Sequence, residues 1–353
     1  MTSLGWFRAF GGVTLLMVGW ASGAQAGSCA LPPWTAASGV GTDIYGAAVT
    51  SAGGFIYAVS GYSFSIGGYV NQVRRYDPGT NTWIGLTPVP TAREMGSLAY
   101  DAAGGRLFFF GGVNGGGAVN LVHVFTIATN TWTTGPALPA PRTQMGSGVI
   151  GGLIYLAGGY SSTSITPATT HDQNWEFDPT TGTYTPRAVL PNILGGAGSA
   201  VSGGRLYIMG GRDPVNTQRN TNYEYDPVGD AWAVRAVLQN AVNVPGSTAL
   251  SGAASCDGDI ILVGGGNPLL ENGVSPGSTR AAETTNITQL YNVATNSWSA
   301  GPALPTGRSF IGAAQAGSTL IAVGGYTGST SVSTVDLIQV PPLPVELQDS
   351  RVE

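Results

Sequence analysis

Three arginines sit in loops of one recurring shape. Arg93 lies in Thr91-Ala92-Arg93-Glu94-Met95-Gly96, Arg142 and Gln144 in Pro141-Arg142-Thr143-Gln144-Met145-Gly146, and Arg308 in Thr306-Gly307-Arg308-Ser309-Phe310. Asn192 and Asn240 take the corresponding place in Pro191-Asn192-Ile193-Leu194-Gly195 and Gln239-Asn240-Ala241, and Asp43 takes it near the N-terminus. A forked guanidinium matches the paired oxygens of a carboxylate or sulfate, so the set reads as a crown for an acidic ligand. Arg212, with Asp213 and Arg219, and Arg280, in the long stretch Asn267–Asn286, would add to its rim. Glu94 and Glu283 are the carboxylates available as acid or base in such a site.

Other chemistries are poorly supplied. Only two histidines exist. His123 falls inside an apolar run and His171 at the end of a Ser/Thr-rich loop, Ser161–Gln173, so neither a metal-ligand set nor a Ser/Cys–His triad can be assembled. No cofactor is implied. The chain has no Lys and a net charge of -5, which offers no basic face for nucleic acid. Cys29 and Cys256 are one disulfide or two incidental thiols, and export would favour the bond.

The elements that must carry these loops repeat. An apolar run ends in a small-residue pair at Ser60-Gly61, Gly111-Gly112, Gly158-Gly159, Gly210-Gly211, Gly264-Gly265 and Gly324-Gly325. A polar turn follows, as in Tyr76-Asp77-Pro78-Gly79-Thr80-Asn81-Thr82-Trp83, Phe177-Asp178-Pro179-Thr180-Thr181-Gly182-Thr183-Tyr184 and Tyr225-Asp226-Pro227-Val228-Gly229-Asp230-Ala231-Trp232. The closing aromatic recurs at Trp34, Trp83, Trp132, Tyr184, Trp232 and Trp298. Both landmarks return roughly every 50 residues, the length of four short antiparallel strands. Asp or Asn bonding the backbone two residues on, Pro fixing φ, and Gly or Asn accepting positive φ make these turn residues rather than catalytic ones. The strand before the glycine pair is preceded by a small-residue strand, such as Gly96-Ser97-Leu98-Ala99-Tyr100, suited to a crowded axis.

The double glycine after an apolar strand, the aromatic-Asp-Pro turn and the following Trp resemble the landmarks of Kelch-repeat β-propellers, over about Trp34–Val340. That resemblance implies an all-β fold of six four-stranded antiparallel blades. The sixth unit, Ser309–Val340, lacks its Trp-bearing strand, and Trp34 supplies it, so the ring is expected to close through the N-terminus. In propellers the loops between second and third strands and those between blades share one face, where function gathers. In the Kelch family an Arg at the register of Arg93, Arg142 and Arg308 often ties adjacent blades through backbone carbonyls, a structural alternative to ligand contact. Galactose oxidase, another Kelch propeller, needs a His/Tyr copper set that is missing here. Six-bladed sialic-acid mutarotases are similar in size and export.

The ends read as processing segments. Arg8, the apolar stretch Phe10–Gly23 and Ala24-Gln25-Ala26 form a secretory signal, residues 1–26, with an uncleaved anchor as the alternative. Residues 27–340 are the propeller, and the Pro-rich residues 341–353 are a tail or linker. The expectation is a secreted or cell-surface binding module, monomeric and without a membrane span once cleaved. It would hold a glycan or protein segment, acidic in character, at the channel mouth. The alternative is a sugar-acid mutarotase or epimerase.

Overall fold

The computed structural model describes residues 30–242, 245–250, 256–267 and 283–341. These form strands and loops, with no helix among the described residues. Six antiparallel sheets of four strands follow one another around an axis. Blade 1 is built from Ala48–Ala52, Phe55–Val59, Val73–Asp77 and Thr82–Leu86, from the axis outward. The innermost strands of the next five are Ser97–Asp101, Gly146–Ile150, Gly198–Ser202, Gly246–Ala249 and Gly312–Ala316, and each contacts its neighbours, the sixth touching the first. The sixth blade adds Thr319–Val323 and Val335–Gln339. Its outermost strand is Thr35–Ala36, paired Thr35↔Leu337 and Ala36↔Asp336. The N-terminal segment therefore seals the ring, as expected.

Apolar side chains of the middle strands form six cores, one at each blade-to-blade junction. Phe108, Phe110 and Val124 of blade 2 meet Ile154, Leu156 and Phe177 of blade 3. The junction of blades 5 and 6 is completed by Trp34, which packs with Ile261, Leu290, Leu320 and Ile338. Burying each such side chain contributes roughly 1.5–3 kcal/mol, so cohesion lies between blades as much as within them.

The outer aromatics add polar ties at the same junctions. Trp83, Trp132, Trp232 and Trp298 donate their indole N–H to the carbonyls of Ser38, Thr87, Ala188 and Ala236, each in the loop leading out of the preceding blade. Tyr184 does the same through its hydroxyl to Pro136, and Trp34 to Pro302, which places the N-terminal strand in the common pattern. The turn residue two before the aromatic takes positive φ, at Asn81, Asn130, Asp230 and Asn296. Its side-chain oxygen accepts from a backbone N–H of the preceding blade's loop, at Ser38, Thr87, Ala188 and Ala236. In blades 1, 4 and 5 it also accepts a Tyr hydroxyl, from Tyr76, Tyr225 and Tyr291. Blade 3 has Phe177 and Gly182 at those places, losing donor and acceptor together.

The glycine pairs make the innermost joint. Gly61, Gly112, Gly159, Gly211, Gly265 and Gly325 each donate a backbone N–H to the next blade's loop, at Arg93, Arg142, Leu194, Val242, Arg308 and Ile44. The last of these returns to the first blade and completes the circle. The first glycine of a pair has positive φ, and a Cβ there would press into the neighbouring loop carbonyl. Ser60 holds that position in blade 1 at φ 60° and turns its hydroxyl to account, donating to Val70 O and accepting from Arg93 N–H.

Around the axis the inner strands enclose a channel of about 500 Å³ lined mostly by Ala, Gly, Ser and Thr, with Gln315 and apolar residues such as Val49, Leu98, Val149 and Val201. Cys256, between the two inner strands of blade 5, is buried and disulfide-bonded. Cys29, Arg280, residues 1–26, expected to be a signal, and the tail from residue 342 lie outside the described residues.

Candidate functional site

The hydrogen-bonded joint fixes the true register of the inter-blade loops. Ile44, Arg93, Arg142, Leu194, Val242 and Arg308 are equivalent, because each offers its carbonyl to a glycine of the preceding blade. Three of the six are apolar and all six are buried. The position belongs to the wall, which corrects the expectation of an arginine crown facing a ligand. Asp43, Asn192 and Asn240 lie one or two residues earlier, a frame that spacing alone could not fix.

Each guanidinium is spent inside the wall. Arg93 donates to the carbonyls of Gly111 at 2.6 Å, Phe109 at 3.0 Å and Thr91 at 3.1 Å, and to His123 Nδ1 at 2.9 Å. It also lies over the Phe109 ring. Arg308 donates to Gly324 O and Thr334 O and pairs with Asp336. Arg142 donates to Pro141 O and to Gln173 Oε1 at 2.6 Å. Burial pulls the Arg93 guanidinium down to about 9. It lowers His123 to about 4, the positive charge of Arg93 adding to the effect, so this imidazole is a neutral acceptor. Arg212, directly after a glycine pair, is fully buried and bridges Gly195 and Gln218 through its backbone. Asn192 is exposed, donating to the Tyr223 hydroxyl at 2.7 Å. Asn240 is also exposed, its backbone paired to Gln289. Glu283 is placed by its backbone pairing with Asn267.

Two candidates do lie at the mouth. Gln144 belongs to a ring of residues two positions past the joint: Gly46, Met95, Gln144, Gly196 and Phe310, all with positive φ between 53° and 63°. Among the described residues their backbones form an open hoop that runs from Phe310 to Gly196. Gly46 N–H donates to Phe310 O, Met95 N–H to Gly46 O, Gln144 N–H to Met95 O and Gly196 N–H to Gln144 O. The hoop frames a recess of about 110 Å³ above the channel, into which Met95, Gln144 and Phe310 project. Non-glycine residues in the left-handed region carry strain that the surroundings must enforce, and here the loop-to-loop bonds enforce it.

Glu94 lies behind this hoop and is nearly inaccessible, 6% exposed. Burial pushes its carboxyl up to about 8, against the lowering influence of a hydrogen bond from the Tyr45 hydroxyl. One carboxyl oxygen, Oε2, has no hydrogen-bond partner. Above it an aromatic cluster spans blades 6 and 1. Tyr45 is at its centre, with ring centroids 5.4 to 5.8 Å from Phe310, Tyr62, Phe64 and Tyr326. Tyr69 stands edge-on to Tyr62 at 5.3 Å. Tyr45 and Phe310 are buried, whereas Tyr62, Phe64, Tyr69 and Tyr326 keep part of their rings in solvent. Asp43 anchors the cluster's edge. It accepts hydrogen bonds from the hydroxyls of Ser63, Ser65 and Ser331, and Phe64 N–H donates to Ser331. Burial works to raise the Asp43 carboxyl, but the hydroxyl bonds outweigh it and bring it to about 2. Tyr62 and Tyr326 directly follow glycine pairs and pair with Tyr45 and Ser309 of the inter-blade loops. An aromatic directly after the pair was the available sequence signal for this patch.

The sequence comparisons agree with the geometry. The family model for the KLHDC2/KLHL20/DRC7 Kelch-repeats domain matches residues 46–266. The Kelch-like protein terF of Aspergillus terreus is 27% identical over 202 residues, covering 52% of this chain and 42% of that protein. Kelch-like protein 35 of Mus musculus is 29% identical over 161 residues, 45% of this chain and 26% of its own length. This chain thus spans less than half of the curated relatives it matches. Among solved structures, that of YjhT superposes with a TM-score of 0.71 at 17% identity, covering 87% of this chain and 97% of the other; this likeness speaks to the fold alone. Because the matched model extends over more than half of the chain, the protein belongs to the Kelch-repeat family of β-propellers.

Proposed function

We propose that this propeller is a secreted, monomeric binding module that holds a protein segment or glycan on its mouth face, against the aromatic patch of Tyr62, Phe64, Tyr69 and Tyr326. Kelch propellers are typically protein-binding modules. The observation that carries the reading is the patch itself: four partly exposed aromatic rings beside the mouth, a concentration of amphipathic surface suited to stacking on a sugar or a side chain. The acidic character first expected of the ligand loses its support, since Arg93, Arg142 and Arg308 are consumed by carbonyls, His123, Gln173 and Asp336. A sugar-acid mutarotase has less behind it for the same reason. Its carboxylate anchor would be Arg308, which is wholly buried, and its acid/base would be Glu94, which Tyr45 covers, or Glu283, placed here only by its backbone pairing.

The test is a glycan array and a random-peptide display run with the full chain, then repeated with the Tyr62→Ala/Tyr326→Ala variant. Loss of the selected ligand by the variant, at unchanged circular dichroism, supports the reading. A ligand bound equally well by the variant, or none in either format, counts against it.

A further inference from the structure

We propose that the occupant of the aromatic patch is a protein segment that presents a cationic side chain, arginine or lysine, against the rings of Tyr62, Phe64, Tyr69 and Tyr326. The inference rests on the binding-module reading and adds the charge of the ligand. It reverses the sense expected from the sequence, and two observations point the same way.

The first is the ring chemistry. A guanidinium or ammonium over an aromatic face is drawn by the ring quadrupole, more strongly where water is partly excluded. The protein already makes this contact internally, with Arg93 over Phe109, Arg75 over Phe55 and Arg142 over Trp175. Among the described residues, no arginine lies over the four partly exposed rings. The second is the sign of the charges attached to the patch. The ionised group bonded to it is the Asp43 carboxylate at its edge, whereas Glu94, buried beneath Tyr45, keeps its proton at neutral pH. The arginines of the mouth register point into the wall, and Arg74, beside Gly41, is engaged with Gln72. An apolar flank completes the surface, because Ile66 is 62% exposed at the tip of the hairpin between Tyr62 and Tyr69. A peptide carrying one cation with an apolar neighbour fits this combination of rings, the Asp43 carboxylate and an aliphatic rim.

The experiment selects random dodecamers displayed on phage against the full chain. Binding of the enriched peptides is then measured by calorimetry for the parent, Asp43→Asn, Ile66→Ser and Tyr62→Ala/Tyr326→Ala. The expected result is enrichment of Arg or Lys beside an apolar residue. Affinity should fall at least tenfold in the tyrosine variant and three- to tenfold in Asp43→Asn, and each enriched peptide should weaken when its cation is replaced by Gln. Ile66 is so exposed that its Ser variant folds as the parent does, which guards the test against misfolding of the tyrosine variant. Peptides that are acidic or uncharged yet depend on Tyr62 and Tyr326 would overturn the cationic ligand and leave the binding module standing. No enrichment, or enriched peptides indifferent to every patch variant, would overturn both.

Discussion

Glu94 and His123 are buried ionisable groups whose protonation preferences run in opposite directions, and each leaves its mark on stability. The Glu94 carboxyl rises from an ordinary 4.5 to about 8. Below pH 4.5 it is protonated in both folded and unfolded chains and contributes nothing. Between 4.5 and 8 the unfolded chain releases this proton while the folded chain keeps it, so folding weakens as pH rises. At about 1.4 kcal/mol per pKa unit the limit is several kcal/mol. Glu94→Gln should therefore be more stable than the parent by more than about 1 kcal/mol at pH 8 and nearly equal to it at pH 4.5. Urea melts at the two pH values check this, and parallel pH profiles would refute it. His123 is lowered from 6.5 to about 4, so its neutral form is native. The unfolded chain takes up a proton as pH falls below 6.5, and stability drains until pH 4 is reached. His123→Gln keeps an acceptor for Arg93 and should flatten this acid limb by about 2–3 kcal/mol relative to the parent. An unchanged difference in melting between pH 7 and pH 4.5 would show that the ring is not held neutral.

The strand-and-turn unit was legible because its chemistry is local. Aromatic-Asp-Pro turns, glycine pairs and the 50-residue period report backbone needs that only certain residues meet. What the pairs are for was not legible, because their partner is a carbonyl one blade away. Gly53 and Gly111 separate the two demands. Both have φ of 57°, but a Cβ on Gly53 meets nothing, whereas one on Gly111 would run into Arg142 O. Gly53→Ala should cost about 1–2 kcal/mol, the ordinary penalty of the left-handed region. Gly111→Ala should cost more than about 3 kcal/mol, since the blade joint must open as well. Equal losses in guanidinium melts would mean that the close approach carries no energy. The mouth was misread for a related reason. Arg93, Arg142 and Arg308 repeat in the sequence as a ligand crown would, yet the same frame elsewhere holds Ile44, Leu194 and Val242. Polarity at three positions of six spoke for a surface, and the three apolar members revealed a wall. The aromatic patch eluded the reading because Tyr45, Tyr62, Phe64, Tyr69, Phe310 and Tyr326 converge from both ends of the ring.

At the scale of the molecule, the ring is as strong as the junction that closes it. Five blades are continuous in the chain, and the sixth borrows a strand of two residues, Thr35–Ala36. So short a ladder cannot hold a circle by itself. Trp34 supplies the remainder: it is 6% exposed, fills the junction core and donates to Pro302 O. Every other blade makes the equivalent aromatic-to-carbonyl bond within an unbroken stretch of chain, but this one spans a separation of 268 residues. Closing so long a loop carries a large entropic cost that the clasp must offset. Trp34→Ala removes about 3–5 kcal/mol of packing, and it should also release Thr35–Ala36 and bare the edge of Val335–Gln339. An uncovered edge pairs with other chains. The variant should therefore melt earlier and form concentration-dependent oligomers by light scattering. Trp83→Ala, at a junction inside the continuous chain, should lose stability while remaining monomeric. If both variants stay monomeric, the N-terminal strand is a passenger on a ring already closed by the joint from Gly325 to Ile44. If both associate, exposure of any outer strand suffices and the sixth blade has no special part in closure.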